Sequence, residues 1–517
     1  FSSRRRHTRY ISVTGVQTCA LPILIFLVGF GVEISRAAQT TFFLQNVGAD
    51  QLPAVFICFA MVMVAASSVY VKAAQKVRLE FLALTAIAIA IGLIASAWVL
   101  VVAGVHSVVL AYTLYCSVEM GFIFVPLTLW AVMNRCFSAE DAEMMLPPIA
   151  ACGLIGALFG AMISRIVVGT IGPYNTLPLA VIAYGVCLYL GSDLETPPRQ
   201  DSSVGRHVVS RPLMTEPLVA TLTFLSLPMF LIAYVIEYMY YSAMEQVFTN
   251  ATNLSQFIST FGVICAVAGV LSQVFLTPFL FRRLGIGTTA FVYPAALALG
   301  ALLALVYALY LGSRAPGVSP PPMFLVLFVL TARALDLVLY ASVYDSTTNM
   351  LYYAVPEQTR TRARSLVGGI MFPASVAASG LLLMSFKYFD QPIHNVAFTS
   401  IVVGFLVLVM AMDVRPDYLR SLLTNSDEGN DKRREALLDE ISRLSLSESR
   451  VLLLESLQVD RETEALFAVQ RLLDTYDHFL LEDLQEIKAR ISPKVMSALT
   501  TAMAARGIPE EDCLLLG

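Results

Sequence analysis

Twelve apolar runs dominate this chain, each close to the roughly 20 residues a helix needs to cross about 30 Å of hydrocarbon. They fall at 24–45, 53–72, 80–103, 107–135, 146–169, 175–192, 217–243, 256–281, 286–311, 323–344, 364–386 and 393–412. In lipid, every backbone N–H and C=O of such a run must be satisfied within the segment itself, so each run is expected to be a helix. Composition agrees. Of 517 residues, 57% are hydrophobic and only 14% charged, against about 25% charged in soluble domains, which excludes an ordinary soluble enzyme. The expected fold is all-α: a polytopic membrane protein with 12 transmembrane helices in two six-helix halves, followed by a small soluble α-helical repeat domain.

Lysine and arginine in the short connections set the orientation of such a bundle. The loops that lead from even to odd helices carry Lys72, Lys76 and Arg78, then Arg135, then Arg199, Arg206 and Arg211, then Arg282 and Arg283, and finally Arg360, Arg362 and Arg364. The opposite loops offer Arg314 and Lys387, with Arg165 near the end of the fifth helix. Both termini are therefore expected on the cytoplasmic side.

The opening stretch, residues 1–23, is read apart. It is basic, lacks a sustained apolar period and joins the first helix without turn chemistry, and VTGVQTCALPI (13–23) resembles the translation of a sequencing-library adapter. It is expected to be foreign to the fold, the native N-terminus lying elsewhere.

The spans repeat. QKVR (75–78) follows helix 2 and RRLG (282–285) follows helix 8, 207 positions on, while Glu33 in helix 1 and Glu237 in helix 7 stand 204 apart. Two parallel halves, 24–192 and 217–412, joined by a polar Pro/Ser-rich linker at 193–216, are the simple reading, and this is the organisation of major facilitator transporters. Lys76 occupies a basic position of that superfamily's loop signature, with Gln75 where its Asp would stand.

A closer resemblance covers almost all of the membrane part. FFLQNVGADQLPAVFICFAMVMVAASSVY (42–70), SAEDAEMMLPPIAACGLIGALFGAMISR (138–165) and SVYDSTTNMLYYAVPEQTRTRARSLVGG (342–369) look like the best-marked blocks of the ATP/ADP translocase family, and more closely of its bacterial relatives that carry C-terminal helical-repeat or cyclic-nucleotide-binding domains. The resemblance implies a facilitator-type secondary transporter in a bacterial inner membrane. It departs at the third block, where nucleotide carriers resemble F-D-P-x-K-E-M-A-Y-I-P. Here Thr348 stands at the lysine position and Asn349 at the glutamate position. No lysine occurs between Lys76 and Lys387, so a polyphosphate would rely on Arg36, Arg165, Arg333 and helix N-termini. That is thin provision for a nucleotide carrying three or four negative charges.

Charges inside the spans are the strongest functional signal, because they are costly to insert and usually face a bundle interior or a water-filled path. Glu33 and Arg36 lie in helix 1, Glu119 in helix 4, Glu237 in helix 7, and Arg333 with Asp336 in helix 10. Facilitator helices 1, 4, 7 and 10 line the central cavity, so the resemblance places all six there. Spacing adds that Glu33/Arg36 and Arg333/Asp336 are i,i+3 neighbours able to neutralise one another. On that pairing Glu119 and Glu237 stay without an in-helix cation, and one of them is expected to couple proton movement to transport. The formal sum of −2 suits a cation or zwitterion better than a polyphosphate. Glu245 and Asp345, near span ends, are expected to be solvated.

Glycines in GLIGALFG (153–160) lie inside helix 5, where small residues that permit close helix packing are the favoured reading. No GxxxxGK[ST], GxGxxG, HExxH or GxSxG pattern occurs, and no enzymatic activity, metal or cofactor is expected. The eight cysteines show no ligand spacing. From Asp413 onward the chain turns acidic, with 21 acidic and 13 basic residues. A linker at 413–430 precedes five short amphipathic patterns at 431–517 that resemble HEAT-like repeats, a cytoplasmic cap or a platform for a partner protein. No basic, aromatic-interleaved surface points to nucleic acid. The expected contacts are thus the lipid bilayer, a small solute (a nucleotide only against the cation count) and a cytoplasmic protein. A non-transporting membrane scaffold or receptor is the alternative. Such a scaffold needs buried charges that cancel.

Overall fold

The computed structural model describes residues 2–74, 76–136, 139–192, 213–312, 321–355, 357–424, 495–497 and 501, with their side chains except at 2–19, 134–136, 139–147, 312, 357, 358, 361, 423 and 424. The 193–212 part of the linker and nearly all of the expected C-terminal helical domain lie outside the described residues. Among the described residues, twelve helices are long and apolar enough to cross a membrane: α1 (Ala20–Asn46), α2 (Ala49–Ala74), α3 (Leu79–Val102), α4 (Val108–Met133), α5 (Pro148–Ile171), α6 (Tyr174–Gly191), α7 (Pro217–Val247), α8 (Ala251–Leu284), α9 (Ile286–Leu311), α10 (Met323–Tyr353), α11 (Arg362–Tyr388) and α12 (Ile393–Leu422). They match the twelve sequence runs one for one. The backbone of α1 continues as helix back to Ser2, and Leu21 is buried at its near end. The helix Val414–Thr424, which begins within the last part of α12 and runs past its end, is amphipathic and lays Tyr418, Leu419 and Leu422 against the core.

The chain forms two six-helix halves. In the first, α1 packs on α4, α5 and α6, and α3 on α4 and α6; in the second, α9 packs on α10 and α12, with α7 against α10 and α12. Two long seams join the halves, α5 with α8 and α2 with α11. A pseudo-two-fold axis that exchanges the halves exchanges these seams as well, which is what a parallel duplication requires. Large apolar side chains such as Val109, Ile166, Phe275 and Phe405 face outward, as surfaces solvated by acyl chains must.

The α1–α5 contact is made backbone to backbone. A Cβ on Gly156 would lie 2.0 Å from the Phe26 carbonyl oxygen, one on Gly160 2.6 Å from that of Phe30, and one on Gly29 2.2 Å from that of Gly153. The glycines of GLIGALFG are therefore packing residues.

Hydrogen bonds between the halves gather at one end of the bundle. Ser164 and Ser259 hydroxyls meet at 2.9 Å, Arg165 donates to Thr260 at 2.9 Å, the Ala49 amide donates to Glu245 at 3.0 Å, and Lys387 reaches Asp50 at 3.3 Å. This is the end where α1 turns into α2 and α7 into α8, opposite the arginine-rich loops. The structure is sealed there. Glu245 remains exposed, as expected of a span-end carboxylate, yet it also ties the two halves together.

Among the described residues, three π-helical turns, Ser272–Leu276 in α8, Tyr340–Tyr344 in α10 and Val367–Met371 in α11, all fall in the second half. The first two touch: Ser272 and Ser342 hydroxyls are 2.8 Å apart, and Thr277 donates to the Ser342 carbonyl at 3.1 Å.

Candidate functional site

Each of four helices presents a polar stripe at helical spacing. These are Glu33, Arg36 and Thr40 on α1; Tyr115, Glu119 and Phe122 on α4; Tyr234, Glu237 and Tyr241 on α7; and Arg333, Asp336 and Tyr340 on α10. Intervals of three, four and seven residues keep each set on one face. The charged members stand about 10–13 residues from the helix ends on the sealed side, roughly 15–20 Å along the axis, hence near mid-membrane.

Two ion-pair clusters result, one per half. In the first, Arg36 grips Glu119 with two parallel bonds, Nε to Oε1 at 3.1 Å and Nη2 to Oε2 at 2.8 Å. This fork geometry gives both direction and strength. The guanidinium also lies 4.0 Å from the centre of the Phe122 ring, a cation–π contact that holds it flat. In the second cluster, Arg333 bridges two carboxylates, Glu237 at 3.0 Å and Asp336 at 2.6 Å, and the Tyr293 hydroxyl donates to Asp336 at 2.8 Å. Glu119, Glu237, Arg333 and Asp336 are all buried. The clusters sense one another: Glu237 lies within electrostatic range of Glu119 and Arg36 as well as of its own partners.

The pairing read from spacing is corrected in two respects. Arg36 binds Glu119 across the α1–α4 interface and leaves Glu33 aside; Glu237 is held by Arg333 and is not free. Arg333 with Asp336 pairs as expected. The physical reason is reach: a guanidinium on a cavity face finds a carboxylate on the facing helix in better bidentate geometry than an i,i+3 neighbour offers, and sequence spacing cannot see across helices. Glu33, half-buried, has no hydrogen bond or ion pair among the described residues. Arg165 is exposed on the α5–α8 seam and does not join the clusters. Asp345 lies in the last part of α10 and is exposed.

Tyrosines complete the site and were not singled out by sequence. Tyr293 on α9 is the partner of Asp336, Thr40 donates to the Tyr241 hydroxyl at 3.5 Å, and Tyr234 packs edge-on against Phe56 of α2 and Phe372 of α11. The motif YVIEYMYY (234–241) carried a signal, since Tyr234 and Tyr241 flank Glu237 at helical spacing. Tyr293 carried none, because one phenol in an apolar run reads as core.

This is a major facilitator fold. Known structures with the same architecture include the nucleoside transporter NupG (15% identity, TM-score 0.52, covering 78% of this chain and 98% of that one). A D-xylose-proton symporter aligns with 13% identity and a TM-score of 0.57 over 79% of this chain and 99% of its own. The peptide transporter POT in complex with sulfate does so with 13% identity and a TM-score of 0.51 over 77% and 95%. At such identities the likeness establishes the fold. No protein-family signature matches the chain, and no curated protein matches it in sequence.

Proposed function

We propose that the protein is a secondary transporter, which moves a small zwitterionic or cationic solute by rocking its two halves about the paired clusters. The observation that carries this reading is the placement of one acid–base cluster on each half, at the same depth and within electrostatic range of one another. A solute with separated charges could bridge them by exchanging partners, the amine with a carboxylate and the carboxylate with a guanidinium. The formal charge of −2 also argues against a scaffold, for which cancelling pairs would suffice. Solved relatives of the same fold carry nucleosides, a sugar and peptides by their names, and this supports transport without choosing the cargo.

Kinship with the ATP/ADP translocases is part of this proposal and rests on the three sequence blocks. Polyphosphate cargo is not. Arg36 and Arg333 are already committed to carboxylates, Arg165 lies outside the clusters, and position 348 is a threonine. The cytoplasmic placement of both termini and of the acidic C-terminal region, a cap or a docking platform of HEAT-like helices, also belongs to the proposal and follows from the basic loops.

Proteoliposomes containing the full chain should take up radiolabelled amino acids or polyamines above empty vesicles, with ATP and ADP at background. Nucleotide uptake that outruns both would overturn the cargo assignment, and no uptake of any class would favour the scaffold. Topology is checked separately. Membrane-impermeant labels should reach cysteines placed at Asn250 or Asp390 from outside and should miss those at Lys76 or Arg283. The reverse pattern would invert the protein.

A further inference from the structure

Glu33 stands apart from the other buried charges. It projects from the middle of α1, in the first half, onto the backbone of α8, in the second. A Cβ added to Gly262 would lie 2.4 Å from its Oε1, and the same position meets Ala161 of α5 at 3.5 Å. The carboxyl group therefore rests on a glycine, with apolar neighbours on that side, where two helices of opposite halves come together.

The charged and titratable groups around it can be named. Arg36, on its own helix, is its electrostatic neighbour but is held by Glu119 of α4; Tyr240 faces it from α7 and Cys265 from α8. Alanine 161 is what α5 presents. Among the described residues Arg36 is the one cation near it and makes no ion pair with it, whereas Glu119, Glu237 and Asp336 are each in an ion pair.

We infer that Glu33 is the site at which a proton is taken up and released as the two halves rock, with Gly262 as the surface against which the neutral acid seats. In this arrangement an uncharged carboxyl fits the contact, whereas a carboxylate there would have reduced access to water and neither a hydrogen bond nor an ion pair among the described residues. When α8 swings away from α1 and α5, water enters the seam, the proton leaves to solvent, and Arg36 gains a second carboxylate one turn away. The step is a simple acid dissociation, carboxyl to carboxylate plus a hydrated proton. It rests on the transporter reading and names its coupling group, moving that role from Glu119 and Glu237 to the one carboxylate that no cation holds.

The experiment is a distance measurement across the seam, on the full chain in lipid nanodiscs. Genetically encoded spin labels would replace exposed Thr170 at the end of α5 and exposed Asn253 at the start of α8. The parent protein should shift from the short toward the long distance as pH rises from about 5 to about 9. Glu33→Gln should keep the short distance at every pH. Glu33→Asp should keep the pH response with a moved midpoint, which shows that a carboxylate and not the fold is at issue. Gly262→Ala should favour the long distance at all pH values. If the Glu33→Gln response matches the parent's, this inference is overturned while the transporter reading stands. If the parent itself shows one fixed distance at every pH and no uptake, both are overturned.

Discussion

Replacing Arg333 with leucine is expected to unfold the second half in ordinary detergent, with a loss of about 3–5 kcal/mol and a fall in melting temperature well beyond that of typical surface variants. The reason is that one guanidinium serves two buried carboxylates, Glu237 and Asp336, on different helices. Its removal leaves two anions side by side in a site from which most water is excluded, and Tyr293 can donate to only one of them. The triple replacement of Arg333 by leucine, Glu237 by glutamine and Asp336 by asparagine removes the stranded charges and should recover much of the lost stability without recovering transport. Thermal unfolding followed by tryptophan-independent thiol labelling, run beside solute uptake, separates the two effects. Recovery of transport in the triple variant would show that the cluster only holds the helices of the second half together.

The second large effect is steric. Gly156→Val should prevent α1 from closing on α5, because even the first carbon of the new side chain would lie 2.0 Å from a main-chain oxygen of Phe26. Overfilling a packed site usually costs about 1–3 kcal/mol, but here the obstacle is a helix backbone that cannot swing aside as a side chain would. Loss of the folded protein, measured as a vanished monodisperse peak in size-exclusion chromatography, is expected. Normal elution with normal stability would mean that α1 and α5 sit farther apart than they do in this structure. Gly92, which has open space where its Cβ would be, provides the control: Gly92→Ala should be silent.

The spans were legible because hydrocarbon imposes a length and a composition that short-range reading detects. The duplication was legible too, through Glu33 with Glu237 and through the two basic loops. The six intramembrane charges could be picked out one by one for the same reason, each being an exception within an apolar run. Of their partners only Arg333 with Asp336, neighbours on one helix, could be read. Whether Arg36 chooses Glu33 or Glu119 depends on how two helices cross, and that information is spread over the glycines of α5, the aromatic contacts of α7 and the seam with α8. The hidden role of Tyr293 has the same origin: nothing within its own helix distinguishes it from other tyrosines.

The π-turns bear on how the two halves have diverged. An added residue inside an α-helix would normally rotate everything beyond it by about 100°, and an apolar face would then point into the protein where a polar one is needed. A π-turn takes up a single extra residue locally and leaves the faces on either side almost where they were. The spacing between equivalent positions grows from 204, at the charged residues of α1 and α7, to 207 at the basic loops, and the turn at Ser272–Leu276 lies within that interval. That turn takes up one of the three added residues inside α8 and spares the lipid-facing and inward-facing stripes on either side of it. An alignment of the two halves that forbids gaps within helices will misplace the residues that follow Ser272, and any inward-facing position transferred from one half to the other must first be corrected for this slip.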